Sequence, residues 1–202
     1  MCIRDRIWAN ARERKLPVHL DGARIFNAAT TLGGDVFENV RTLTRGFDTV
    51  MFCLSKALCA PVGSMLVGSQ SAMDEARVYR KALGGGMRQA GVLAAAGLIA
   101  LEKMSLRLGE DHANARMLAE TLAALDEVEI DLEGVQSNIV VFSLKSWKPS
   151  ELVAALKTRG ILMSTVGPRS VRLVTHHDAD RAACETAAEA LRDVLAGAAV
   201  SA

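Results

Sequence analysis

Residues 52–63 read FCLSKALCAPVG, an almost wholly apolar run that delivers one lysine, Lys56, just before a turn. A charged amine at the end of a buried strand is costly, so it is paired, snorkels to the surface, or is used chemically. The preceding residues, FDTVMFC, close on four successive apolar positions, Val50 to Cys53, the pattern of a strand covered on both faces in a parallel sheet. After the lysine, Pro61 and Gly63 make a turn, Val62 to Val67 form another apolar stretch, and SAMDEARVYRKAL has helical spacing.

Toward the N-terminus, IWANARERK reads as the second half of a helix, and KLPVHLDGAR as a helix end, a strand over Val18 to Leu20, and a turn opening a helix near Ile25. Asp21 therefore sits at a strand's C-terminal end. TLGGDVFENV, with its tandem Gly33 and Gly34, reads as a surface loop. Beyond Gly84, Gly85 and Gly86, the stretch from Met87 to Leu125 reads as one long helix, able to tie two domains together. Then EVEIDLEG and SNIVVFSL read as strands, PSELVAALKTRG as a helix ending at Gly160, and ILMSTVG and SVRLVTH as strands. A last helix opens with Asp178 as its N-cap. The fold class is α/β, with a small β-β-α-β-β-α domain at the C-terminal end.

The 202 residues are half hydrophobic, enough for a substantial core. With 24 basic and 23 acidic residues the net charge of +1 leaves no broad footprint for nucleic acid or an anionic membrane. The four cysteines, Cys2, Cys53, Cys59 and Cys184, form no C-x-x-C pair and fit reduced, buried thiols. No apolar run reaches the roughly 18 to 20 residues of a membrane span, so the expected location is the cytoplasm.

In open α/β sheets the C-terminal strand ends line the ligand crevice, which lets Asp21 and Lys56 face one site. A lysine desolvated by apolar neighbours is a neutral nucleophile able to condense with an aldehyde, and pyridoxal phosphate is the obvious one. Its ring nitrogen needs a carboxylate to keep it protonated, and Asp21 supplies one. Arg24 and Arg172 are candidates for a bidentate grip on an amino-acid carboxylate. Gly84 to Gly86, followed by Arg88, could expose backbone amides and a guanidinium to the cofactor's phosphate.

Each residue also has a bland reading: a snorkelling lysine, a D-G turn, a salt-bridged strand arginine. Three glycines lack the spacing of a dinucleotide or P-loop motif. His19 reads as a half-buried strand residue and His112 as helix surface. His176 and His177 lack the spacing of a helical metal pair, so no metal site is expected.

Taken together, VHLDGARIFNAA, FCLSKALCAPVGSMLVGS, RKALGGGMRQAGVLAAAGLIALE and SVRLVTHHD resemble, in order, segments of the low-specificity L-threonine aldolases, pyridoxal-phosphate enzymes of the aspartate-aminotransferase fold. The likeness runs from about Ile7 to Leu195. It implies the C-terminal part of a fold-type-I large domain over 7–110, a small α/β domain over 111–202, and a leader, residues 1–6, outside the family pattern. By this resemblance Lys56 holds the cofactor, with Ser55 beside it, and Asp21 pairs with the pyridinium nitrogen. Arg24 contacts cofactor and substrate carboxylate, Arg172 grips that carboxylate, and Arg88, with Lys81, lies near a neighbouring subunit's site in a homotetramer. The implied reaction is retro-aldol cleavage of L-threonine or L-allo-threonine to glycine and acetaldehyde.

The family's upstream half, which supplies the histidine stacked on the ring and most of the phosphate loop, has no counterpart here. The chain therefore reads as the C-terminal part of an aldolase, impaired by itself. Two alternatives stand beside that reading: a β-eliminating lyase or other β-hydroxy-amino-acid aldolase of the same fold, and a non-catalytic interaction module.

Overall fold

The computed structural model describes residues 3–197, and the chain divides into two compact units, Met1–Leu106 and Arg107–Ala202. The division falls four residues before the boundary expected after residue 110. Cys2 lies outside the described residues.

The first unit runs α1 (Ile3–Glu13), β1 (His19–Asp21), α2 (Ile25–Thr30), α3 (Val36–Thr44), β2 (Thr49–Cys53), β3 (Ser64–Gly68), α4 (Gln70–Ala82) and α5 (Gly91–Glu102). Its sheet has the order β1-β2-β3, with β1 parallel to β2 and Asp21 opposite Met51. β3, whose direction the sequence leaves open, runs antiparallel to β2 with Cys53 opposite Ser64. Residues 54–63 can reverse the chain but are too few for the crossover, about a dozen residues or more, that a parallel partner needs.

The region read as a loop from Thr31 to Val40 ends in helix instead: Asp35 caps α3, its Oδ1 accepting the Glu38 amide at 2.8 Å. That cap satisfies one of the donors a helix start leaves open. It brings Phe37 edge-on to Phe26, which meets Phe52 of β2 the same way, with centroids 6.1 and 5.6 Å apart. The long helix expected from Met87 to Leu125 is also broken. α5 ends at Glu102, a 3-10 turn spans Met104–Leu106, and α6 (Leu108–Ala123) starts anew. Ser105 Oγ donates back to the Leu101 carbonyl at 2.5 Å, offering the backbone an alternative to the helical ladder.

The second unit continues with β4 (Val128–Glu129), β5 (Ile139–Leu144), α7 (Pro149–Lys157), β6 (Ser164–Thr165), β7 (Ser170–Val174) and α8 (Arg181–Gly197). Its sheet has the order β4-β5-β7-β6 and is antiparallel throughout. Residues alternate across the sheet: Val140, Phe142 and Leu144 of β5 with Val171 and Leu173 of β7 face the core. They meet Leu118 and Leu122 of α6, Leu152 and Leu156 of α7, and Leu191 of α8. Asp180, not Asp178, caps α8 by accepting the Ala183 amide at 2.9 Å.

Cys53 and Cys184 are buried as expected of reduced thiols, whereas Cys59 is exposed because it lies in the turn after β2 rather than in a strand. His19 is exposed and bonds through Nδ1 to Thr49 Oγ1 at 2.9 Å, so its half-buried assignment is corrected. His112 is half-buried in α6 rather than on the helix surface. Among the described residues no helix is long and apolar enough to cross a membrane.

Two measurements follow from the second unit. Phe142→Ala removes the largest fully buried side chain and should cost about 3–5 kcal/mol, while Arg172→Ala, on the exposed face, should stay within about 0.5 kcal/mol; denaturant titration compares them. Burial lowers the pKa of His112 against the pull of Asp111. A histidine pKa depressed on folding gives stability that is present above the unfolded value, about 6.5, and is lost as pH falls through the folded one. His112→Gln should flatten the decline of the unfolding midpoint below that pH.

Candidate active site

The two parallel strands end side by side. β1 runs into Asp21 and Gly22, and the Gly22 amide donates to the Met51 carbonyl of β2 at 2.9 Å. A Cβ on Gly22 would lie 2.9 Å from that same carbonyl oxygen, so the close approach needs glycine. The D-G pair read as a turn signal is thus also the place where two backbones touch. Asp21 is exposed, and its Oδ1 accepts the Ala23 amide at 3.1 Å, an Asx turn that holds the carboxylate at the strand end. One step on, Arg24 is half-buried at the start of α2, and its Nε is buried without a hydrogen-bond partner.

Lys56 does not sit at the end of a buried strand. β2 stops at Cys53, and Ser55 and Lys56 are exposed in the turn that follows. The premise that apolar neighbours desolvate the amine is therefore not met in this chain. The turn itself is tightly built. The Leu54 and Ser55 amides both donate to the Gly63 carbonyl, at 3.0 and 3.3 Å. The Cys59 amide closes on the Lys56 carbonyl at 2.9 Å and the Ala60 amide on that of Leu54 at 3.0 Å. Cys59 adopts φ of 62°, a left-handed conformation that costs a residue with a Cβ roughly 1–2 kcal/mol. Leu54, Ala57, Leu58 and Ala60 are buried, so the turn is anchored by its apolar residues while its lysine points to solvent. Gly97 of α5 lets that helix approach, since a Cβ there would meet Leu54 Cδ1 at 3.2 Å.

Asp21, Arg24, Ser55 and Lys56 thus belong to one end of the first unit's sheet, the end where its parallel strands finish. Arg88 and Lys81 do not join the strand-end set. Lys81 is on the last turn of α4, and Arg88 lies in the exposed segment between α4 and α5. Arg172 belongs to the second unit, on the exposed face of β7 opposite Val141. Among the described residues no group of three histidine, cysteine or acidic side chains could hold a metal ion. The motifs gave the charged residues, but the glycines that position them, Gly22, Gly63 and Gly97, had been read only as turn or helix residues.

If the strand-end contact is set by the missing Cβ, Gly22→Ala should force the two backbones apart. Overpacking of this kind costs about 1–3 kcal/mol, read as a lower melting temperature by circular dichroism, whereas Gly109→Ala, with nothing within 4 Å of the new Cβ, should not lower it.

The family model described as beta-eliminating lyase matches residues 3–145. A low specificity L-threonine aldolase of Escherichia coli O157:H7 is 42% identical over 174 residues, covering 86% of this chain and 50% of that protein. A probable low-specificity L-threonine aldolase of Arabidopsis thaliana is 39% identical over 176 residues, covering 86% and 48%. Among solved structures, the threonine aldolase of Leishmania major superposes with a TM-score of 0.73 at 20% identity, over 95% of this chain and 56% of that one, a likeness of fold. The chain spans about half the length of the curated relatives it matches. Carrying the paired strands, the lysine turn and the start of the second sheet within the matched span, the chain belongs to the beta-eliminating lyase family and is similar to the low-specificity L-threonine aldolases.

Proposed function

We propose that this chain carries the lysine half of a pyridoxal-phosphate site for cleaving β-hydroxy-α-amino acids, with L-threonine or L-allo-threonine giving glycine and acetaldehyde. The observation that supports it best is the set at the strand ends: a free amine, a carboxylate with one oxygen unengaged, and a buried guanidinium nitrogen with no partner. That set fits the cofactor, since an aldehyde takes the amine, a ring nitrogen takes the carboxylate, and an anionic group takes Arg24 Nε.

In this reading Lys56 holds the cofactor through its amine, next to Ser55. Asp21 keeps a proton on the ring nitrogen and Arg24 binds the substrate carboxylate, while Arg172 of the second unit is a carboxylate-binding residue by the same resemblance. Pyridoxal phosphate, when bound, supplies an electron sink for the breaking Cα–Cβ bond. An arginine grip fixes which bond is presented, because bidentate binding of the carboxylate restricts rotation about the substrate's Cα. The exposure of Lys56 leaves its amine room to withdraw as a substrate amine would take its place. We further infer that Arg88 and Lys81 serve an interface between copies in a homotetramer, beside the exposed Leu83 and Met87, and that the protein works in the cytoplasm. The description of the matching family supports a second reading, β-elimination on the same cofactor.

The test is the visible spectrum of the purified chain mixed with pyridoxal phosphate, then borohydride reduction and peptide mapping. The expected outcome is a single reduced adduct on Lys56 that Lys56→Ala abolishes; label scattered over surface lysines would refute the site. Products then separate the chemistries, since glycine with acetaldehyde means retro-aldol cleavage and ammonia with a keto acid means elimination.

A further inference from the structure

The second unit buries a polar cluster at one end of its apolar core that the proposed chemistry leaves unused. Asp111 of α6, Asn138 just before β5 and Thr175 just after β7 are all at most 2% exposed. Thr175 Oγ1 donates to the Asp111 carbonyl at 2.6 Å, and the Thr175 amide donates to the Asn138 carbonyl at 3.0 Å. Asn138 Nδ2 donates back to the Thr175 carbonyl at 2.9 Å, prolonging the β5–β7 ladder by a side-chain bond where the strands end. The Asp111 carboxylate is gripped by Arg107 at 2.8 Å. Asn138 Oδ1 is buried without a donor. Such groups are expensive to bury, each unmet one costing about 1–3 kcal/mol, and an apolar core would fill the space without them.

What the cluster does that apolar side chains could not is tie the end of β7 by hydrogen bonds. Thr175 clamps that end to both β5 and α6, three residues after Arg172 on a strand whose alternation puts Arg172 on the open face. We propose that Thr175, held by Asp111 and Asn138, is a positioning residue for Arg172, setting the angle at which its guanidinium meets a carboxylate. This rests on the reading of Arg172 as a carboxylate-binding residue.

The test titrates glycine into the full chain, mixed with pyridoxal phosphate, and follows the side-chain Nε–H resonance of Arg172 by NMR, assigned with Arg172→Lys. Thr175→Val, which keeps the volume and loses the donor, should weaken glycine binding about tenfold, short of the roughly hundredfold that a 1 Å misplacement can cost. Thr175→Ser should stay within about twofold of the parent, because the donor returns. A valine variant that is folded and binds like the parent overturns the proposal. If the valine variant does not fold, the Thr175→Ala and Thr175→Ser pair, differing only in the hydroxyl, makes the same comparison, and equal affinities overturn it. A parent chain whose Arg172 resonance does not respond to glycine overturns instead the carboxylate reading on which the proposal stands.

Discussion

One backbone hydrogen bond, from the Gly22 amide to the Met51 carbonyl, sets where everything at the candidate site can be. It continues the parallel β1–β2 pairing past the last strand residue, so the Asx turn of Asp21 and the exit of β2 start from a common edge. Parallel neighbours finish at the same end of a sheet, which is why an aspartate and a lysine far apart in sequence come to the same sheet end. The bond holds only because nothing projects from Gly22. A single methyl group would stand 2.9 Å from the acceptor oxygen.

The charged candidate residues were legible in the sequence because their motifs are short and local: D-G-A-R after a strand and L-S-K before a turn in the first unit, V-R-L-V-T-H in a late strand of the second. Their surroundings were less legible. Lys56 was expected at the end of a buried strand, but hydrogen bonding ends the strand at Cys53, where two amides turn to share the Gly63 carbonyl. Apolar composition cannot distinguish a strand from a turn that buries most of its residues. The direction of β3 was not legible for a related reason, since an apolar run signals burial but not orientation, and only the length of the connection excludes a crossover.

Helix limits failed where one side chain outweighed propensity. Tandem glycines made Thr31 to Val40 look like loop, although Asp35, directly after them, is a capping residue whose bond to the Glu38 amide starts α3. From Met87 onward, alanine and leucine favour helix, with no proline to announce a break, yet helix begins only at Gly91 and stops at Glu102, with Ser105 bonding back to Leu101 in the turn beyond. Asp178 and Asp180 are both reasonable caps, and spacing alone does not choose between them. The α/β class, the β-β-α-β-β-α order of the second unit and its alternating strands survive these errors, because they depend on patterns repeated over many residues.

The two units are held together by different means, and the difference bears on the chemistry proposed for the first. The second has a closed core fed by both of its long strands and three helices. In the first, β3 is exposed along its whole length, and Leu83 and Val92 are largely uncovered. Its order near the candidate site comes from turns closed by backbone hydrogen bonds and from four small or apolar anchors around Lys56. A covalent anchor for a cofactor has two opposed requirements: its Cα must be fixed, and its amine must move between two partners. Burying the whole lysine would meet the first and defeat the second. A turn whose backbone is pinned while its amine stays in solvent meets both. The residues of this unit also number 14 basic against 9 acidic, a balance that the nearly neutral whole chain conceals and that favours an anionic ligand there.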